Sequence, residues 1–209
     1  MYIPPLYKNE NENEINSFIE QNGFATLISH AAGKLLATHL PLMFSKDRKS
    51  LYGHFAKANE QWKHIAENEE VLAIFNGPHA YISSSWYNHE NVPTWNYIAV
   101  HVYGKPRIIT GEELIASLRE LTDKYETSSA NPVSVTTMTP AYFEKELRGL
   151  VGFAIKVDRI EAAYKLSQNR DKINHENIVV ELRKRNDAAD MAIADEMIKH
   201  QPAKFKNHE

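Results

Sequence analysis

The 209-residue chain contains no cysteine. Disulfides, thiolate metal sites and cysteine nucleophiles are therefore excluded. No stretch approaches the roughly 20 apolar residues that a membrane-spanning helix needs. The N-terminal stretch MYIPPLYKNENENE also lacks the basic region and the apolar core of a secretory signal. Together these absences predict a soluble, cytoplasmic protein.

Positive charge is also limited, with 24 Lys and Arg residues against 27 Asp and Glu residues and a net charge of -3. Such a balance argues against a broad basic surface for nucleic acid or for an anionic membrane. The densest basic cluster comprises Arg183, Lys184 and Arg185 on an expected C-terminal helix. It is a weak candidate for DNA contact, because a solvated helix face explains such clusters more often.

The short signatures of common catalytic sites are missing as well. The sequence has no GxGxxG after its first expected strand, no Walker lysine motif, no HExxH and no GxSxG. Three of the ten histidines, His79, His89 and His101, share one region, but none forms a compact ligand pair with a carboxylate on one helix face. No metal site is predicted from them, and no side chain is identified as a catalytic acid, base or nucleophile.

What the sequence does have is a series of β-favouring runs separated by short polar stretches. Strands are predicted at residues 24–29, 35–44, 50–55, 71–75, 80–83, 95–109 and 150–166. Gly23 is expected to stop the first helix in a left-handed conformation, and Asn76-Gly77-Pro78 to form a tight turn. Thr110 and Glu113 are expected to form a capping box for a helix whose apolar face carries Leu114, Leu118, Leu121 and Tyr125.

Strands that follow one another through short connections, with helices inserted and appended, predict a small antiparallel barrel of the α+β class. The length suits one domain over residues 1–209. Its last part, from about residue 170 to residue 209, is expected to be a helical extension that is interrupted at Asn186-Asp187.

Aromatic side chains concentrate in residues 77–107, where Trp86 and Trp95 lie with four tyrosines. Residues 83–93 have the composition of a loop, so these large rings need a surface to pack against. That surface could be the core, a subunit partner or a planar ligand. Packing in the core is the most common role of such residues.

A second group of polar residues stands at the end of the third long strand. Four polar residues come just before and at the start of a helix predicted to begin near Asn59, namely His54, Lys57, Asn59 and Gln61. The inner face of this helix is expected to carry Trp62, Ile65 and Ala66. Free N–H groups at a helix start favour an anion such as phosphate. An ordinary solvated helix start with a lysine nearby is the alternative.

Several stretches together resemble one known family. MYIPP at the start, THLPL, LYGHFAKANEQW, the whole of residues 77–107 and the late KLSQNR are similar to the FMN-binding negative transcriptional regulators of the PaiB type. The resemblance implies a split β-barrel related to pyridoxamine-phosphate oxidases and flavin reductases, with appended helices. It also implies a homodimer with FMN at the subunit interface, and repression of sporulation and degradative-enzyme (protease) genes.

The resemblance further implies that the separate clusters belong to one cofactor site. Lys57 would neutralise the phosphate, with hydrogen bonds from neighbouring polar groups, and the aromatic rings would cover the flavin. The residues assigned to FMN are Thr38, His39, Leu40, His54, Lys57, Asn59, Gln61, Ser83, Trp86, Trp95, Asn96 and Tyr97. A flavin-dependent oxidoreductase and a haem-binding protein of the same fold remain alternatives, as does action through DNA or a DNA-binding partner.

Overall fold

A computed structural model describes residues 1–205 of the chain. The strands are β1 (Lys8–Asn9), β2 (Phe24–Ala31), β3 (Lys34–Pro41), β4 (Met43–Phe44), β5 (Ser50–Ala56), β6 (Val71–Ile82), β7 (Thr94–Ile109) and β8 (Leu150–Lys165). The helices are α1 (Glu12–Gln21), α2 (Trp62–Ile65), α3 (Gly111–Glu126), α4 (Pro140–Leu147), α5 (Lys172–Arg185) and α6 (Ala188–Lys199). The predicted α+β class is confirmed. Among these described helices, none is long and apolar enough to cross a membrane.

The strands form a single sheet with the hydrogen-bonded order β3-β2-β6-β7-β8-β5-β4, and β1 pairs with β8. β2 runs antiparallel to β3 and β6, and β5 runs antiparallel to β4 and β8. β3 also packs against β5 from the other end of this order. The sheet therefore curves into a barrel, as short hairpin-like connections between antiparallel strands predict.

The chain forms two compact units. The first contains Met1–Phe18, Asn76–Val100 and the described residues from Glu161 onwards, and the second contains Ile19–Phe75 and His101–Ile160. Strands β6, β7 and β8 each contribute residues to both units. The single domain over residues 1–209, with its extension from about residue 170, stays a prediction, and residues 206–209 lie outside the described part of the chain.

In the first unit, α5 and α6 pack against each other through fully buried apolar side chains, among them Ile178, Leu182, Ile193 and Met197. The interruption predicted between the two helices is confirmed. Asn186 ends α5 in the left-handed conformation (φ 54°), and the Asp187 side chain accepts hydrogen bonds from the first backbone N–H groups of α6.

In the second unit, the barrel core is aromatic and aliphatic, with the rings of Phe55 and Phe153 4.7 Å apart. The helix α3 covers it, because Leu114 and Leu118 pack against Ile109 at the end of β7. The helix and the buried positions Leu114 and Leu118 were predicted correctly, but Tyr125 of the predicted apolar face is 49% exposed, and the capping box is absent. The Thr110 side chain makes no capping bond, and Glu113 instead pairs with Arg107 and accepts a hydrogen bond from Tyr52.

One prediction about a glycine was wrong and another was right only in part, because α1 does end just before Gly23, at Gln21. Asn76-Gly77-Pro78 does not turn but lies within the continuous strand β6, and Gly23 does not adopt a positive φ. Both glycines instead allow a close approach. A Cβ on Gly77 would lie 2.6 Å from the Phe18 ring, and one on Gly23 would lie 2.6 Å from the hydroxyl of Tyr125. Glycine in these positions leaves room for a neighbouring side chain.

Candidate functional site

The second unit contains a buried polar network centred on Gln61, which follows β5 and is only 3% exposed. A buried amide requires hydrogen-bond partners, and this one has them on two strands, β2 and β3. Its Nε2 donates to Ser29 Oγ (2.9 Å) on β2, and its Oε1 accepts from Thr38 Oγ1 (2.6 Å) on β3. Gln61 therefore fixes the segment after β5 to two neighbouring strands.

Asn59 belongs to the same network. Its Nδ2 donates to Thr38 Oγ1 (2.8 Å), and its Oδ1 accepts from the backbone N–H of Gln61 (3.0 Å). The structure thus brings together three of the residues assigned to FMN, namely Thr38, Asn59 and Gln61. It adds Ser29, which sequence reasoning missed although Ser29 follows Ala25 and Leu27 on the buried face of β2.

Lys57 stands beside this network on a backbone that is held on both sides. Its N–H donates to the carbonyl of Gly149 (2.8 Å), and its carbonyl accepts from Trp62 Nε1 (2.9 Å). Its side chain is exposed, and within residues 1–205 no carboxylate forms an ion pair with it. The site therefore offers an exposed cation without a carboxylate partner in residues 1–205, on a backbone that is held on both sides.

The helix after this loop is shorter than the sequence suggested. α2 covers only Trp62–Ile65, and Ala66 is exposed rather than on an inner face. Such a short helix contributes little macrodipole. The charge of Lys57, rather than a helix terminus, is the feature here that would attract a phosphate group.

His54 lies elsewhere in the second unit. It shares a face of β5 with Tyr52 and lines a small cavity together with Met43 and with Ser117 of α3. Burial lowers the pKa of His54, which favours its neutral form at neutral pH. The structure does not bring His54 into the Gln61 network.

The two remaining assigned residues of β3 point to different faces. Leu40 is buried at 4% exposure, on the same side of the strand as Thr38. His39 is exposed on the opposite face, where its ring stacks on Phe24 with 6.4 Å between centroids. Successive side chains of a strand point to opposite faces of the sheet, so three consecutive residues cannot all face the same site.

The first unit contains the aromatic residues that were assigned to the flavin. The guanidinium of Arg185 lies 5.0 Å from the centre of the Trp86 ring, within the range of a cation–π contact. Trp95 is 52% exposed and packs edge-on against Tyr81, with centroids 5.7 Å apart. Tyr97, on the same face of β7 as Trp95, is partly buried.

The polar residues assigned to the flavin in this unit already have partners. Asn96 is fully buried, and its amide donates to Met197 Sδ (3.3 Å) and accepts from Ser167 Oγ (3.1 Å). Ser83 Oγ accepts from the N–H of Ser85 (3.2 Å) and caps the short turn Ser84–Trp86. Both side chains therefore stabilise the first unit itself.

The basic cluster on α5 is likewise paired. Arg183 lies 2.9 Å from Asp195, Lys184 lies 2.6 Å from Glu181, and Arg185 lies 3.3 Å from Asp190. Each cation thus has a carboxylate beside it, which reduces the positive potential that DNA would meet. The arrangement favours the solvated helix face that was the alternative to DNA contact.

Comparison with known proteins relates this chain to an FMN-binding family. Residues 1–159 match the family model described as "Putative FMN-binding domain". The chain is 49% identical over 185 residues to the protease synthase and sporulation protein PAI 2 of Bacillus subtilis, and the match covers 88% of this chain and 89% of that protein.

Two solved structures share the fold at 14% sequence identity. The flavocytochrome Anf3 of Azotobacter vinelandii has a TM-score of 0.62, with 81% of this chain and 75% of that chain covered. The FAD and haem binding protein of Mycobacterium smegmatis has a TM-score of 0.60, with 83% and 80% covered. These likenesses confirm the predicted split-barrel fold.

Proposed function

The chain belongs to the FMN-binding family whose model it matches, and from this membership we propose that it is an FMN-binding negative regulator of transcription. The proposed targets are sporulation and protease genes, in agreement with the name of its Bacillus subtilis relative. A regulator of transcription acts where the chromosome lies, so the proposal includes a cytoplasmic location.

The observation that carries the cofactor part of this proposal is Lys57. Phosphate binding needs positive charge and hydrogen-bond donors at fixed positions. Lys57 supplies an ammonium group without a carboxylate partner in residues 1–205, and Asn59 and Gln61 hold the adjoining segment against β2 and β3. The charge of Lys57, unpaired within residues 1–205, supports the proposal that this residue binds the phosphate of FMN.

Trp86, Trp95 and Tyr97 stay predictions as contacts of the flavin ring. A bound flavin would supply redox chemistry, while the protein would orient it and limit its contact with water. No acid, base or nucleophile was identified in the sequence beside this group of residues. We therefore favour a role in which the flavin is sensed rather than turned over.

Homodimerisation is also part of the proposal. In the second unit, Phe24 and Leu35 are 67% and 76% exposed on the β2–β3 hairpin. Exposed apolar side chains of this size commonly mark an interface, and identical subunits most often pair about a two-fold axis. We expect sedimentation velocity at micromolar concentration to give twice the mass of one chain. A stable monomer under these conditions would contradict dimerisation.

The regulatory part is tested by a footprint over a candidate promoter, with and without FMN. We expect protection that depends on FMN and that is weak unless a partner protein is added, because the cations of α5 are paired. Neutralising Arg183, Lys184 and Arg185 together should leave any protection nearly unchanged.

The same preparation is then mixed with NADH or NADPH in a stopped-flow instrument. Slow flavin reduction agrees with a regulator. Fast reduction without any protected DNA would instead identify a flavin-dependent oxidoreductase and would overturn the regulatory proposal.

A further inference from the structure

A compact group of potential metal ligands lies in the first unit, and none of its members is among the residues assigned to FMN. It consists of Glu14 on α1, Glu196 on α6, and His200 directly after α6. One donor atom from each residue lies within 4.8 Å of the other two. His200 Nε2 is 3.0 Å from Glu14 Oε1 and 3.2 Å from Glu196 Oε2.

The imidazole of His200 lies at ion-pair distance from both carboxylates, but these contacts do not have the alignment of hydrogen bonds. The atoms His200 Nε2 and Glu196 Oε2 are both buried, and within residues 1–205 neither makes a well-aligned hydrogen bond, although ion-pair contacts surround both. Buried polar atoms of this kind require an explanation. Ligands that surround a tetrahedral ion at about 2.0–2.1 Å stand about 3.3 Å from one another. The observed separations of 3.0 and 3.2 Å are close to that value.

The surrounding residues hold two of the three ligands in position. Asn9 Nδ2 donates to Glu14 Oε2 (2.7 Å), so Glu14 Oε1 is the carboxylate oxygen that faces the group. The ring of Tyr164 packs edge-on against the His200 imidazole, with centroids 5.3 Å apart. Metal sites use such outer contacts to fix the orientation of their ligands.

We propose that Glu14, Glu196 and His200 form a binding site for one divalent transition-metal ion, with Zn²⁺ as the best-suited ion. One imidazole nitrogen and two carboxylate oxygens are ligands that Zn²⁺ accepts, and water would complete the tetrahedron. The ion would join α1 to the end of α6 within the first unit. Its function would be structural, because it would connect the N-terminal and C-terminal segments of that unit.

Lys199 is the competitor for this position. Its Nζ lies 2.8 Å from Glu14 Oε1 and 3.6 Å from Glu196 Oε2, so it neutralises the carboxylates in the metal-free protein. Its side chain is 55% exposed. The long, flexible stem of lysine allows the ammonium group to move into solvent when an ion binds.

The test is isothermal titration of ZnCl₂ into protein that has been treated with a chelator and dialysed. We expect one ion per chain for the wild-type protein. His200→Gln and Glu14→Gln should each weaken binding at least about 10-fold, since even outer-shell changes cost about 10- to 100-fold. Lys199→Ala should strengthen binding, because the competing ammonium group is removed.

Glu12→Gln is the matched control, since Glu12 lies on the same helix and is exposed. It should bind Zn²⁺ as the wild type does. Circular dichroism checks that each variant is folded. If the His200 and Glu14 variants do not fold, the visible absorption of Co²⁺ bound to wild-type protein, recorded as a difference spectrum, reports the ligand geometry directly.

Three results would overturn the proposal. They are the absence of stoichiometric Zn²⁺ binding by the wild type, equal binding by folded His200→Gln, and a Co²⁺ spectrum typical of the hydrated ion. A loss of affinity in Lys199→Ala would also contradict it, because the group would then be a lysine-bridged ion pair between the two helices. None of these outcomes depends on FMN binding.

Discussion

Gly104→Ala is expected to lower the free energy of unfolding by about 3 kcal/mol, at the upper end of the usual range for overpacking. Gly104 lies in β7, and a Cβ on it would collide with the backbone carbonyl oxygen of Lys156 in β8. The same Cβ would lie 2.8 Å from the Ile155 side chain. A carbonyl within a strand cannot move away without distorting the sheet, so the clash cannot be relieved cheaply.

Urea denaturation followed by circular dichroism measures this effect. Gly33→Ala is the control, because no atom lies within 4 Å of the position of its Cβ and only its φ of +77° opposes the substitution. That strain costs about 1–2 kcal/mol. If Gly104→Ala destabilised the protein no more than Gly33→Ala does, the result would contradict the close approach of β7 to β8 at this position.

Much of the fold could be predicted because its elements have strong local patterns. The spacing of Leu114 and Leu118 identified α3, and Asn186-Asp187 identified the boundary between α5 and α6. The alternation along β7 was also informative. Ile98, Val100 and Val102 are buried, whereas Trp95 is half exposed on the other face.

The errors concern residues whose role is set by distant parts of the chain. A glycine followed by proline has the composition of a turn, yet Gly77 is required by Phe18, which lies far away in sequence. The capping box failed for a similar reason. Glu113 finds a stronger partner in the guanidinium of Arg107 than in the backbone at the start of α3.

The assignment of residues to a cofactor site stays a prediction, but the structure shows which of them lie together. Thr38, Asn59 and Gln61 were assigned to one site through family resemblance, and the structure brings them into one network. Ser29, which accepts a hydrogen bond from Gln61, was missed because a single serine in a strand carries no signal of its own. The alternation along β5 places His54 on one face of the strand, but the sequence does not show whether that face is turned toward the Gln61 network.

The proposed metal site shows the same limit. Glu196 and His200 are four residues apart, a spacing that places both side chains on one side of a helix and that is visible in the sequence. Glu14 comes from the other end of the chain. The sequence drew notice to His79, His89 and His101, which lie close together in the chain. The group of Glu14, Glu196 and His200 forms only in the tertiary fold, so local sequence patterns do not reveal it.

Lys57→Ala is expected to weaken FMN binding by about one to two orders of magnitude and to leave riboflavin binding unchanged. The two ligands differ only in the phosphate, so the comparison isolates that group. A charge-assisted hydrogen bond contributes about 1.5–3 kcal/mol, which corresponds to this change in affinity. Because the Lys57 ammonium has no ion-pair partner in residues 1–205, its removal should leave stability almost unchanged.

Lys63→Ala is the control, since Lys63 lies on the neighbouring helix α2 and pairs with Glu60 at 2.8 Å. The substitution Lys63→Ala removes one positive charge, as Lys57→Ala does, from the same region of the chain. We expect its affinity for FMN to remain within about twofold of the wild-type value, because an exposed ion pair contributes little.

The most direct test of the central claim is a fluorescence titration of flavin-free protein with FMN and with riboflavin, for the wild type and for Lys57→Ala. The account predicts saturable FMN binding at one molecule per chain, tighter than riboflavin, and the loss of this preference in Lys57→Ala. Equal affinities of the wild-type protein for the two flavins, or no saturable binding of either, would contradict it.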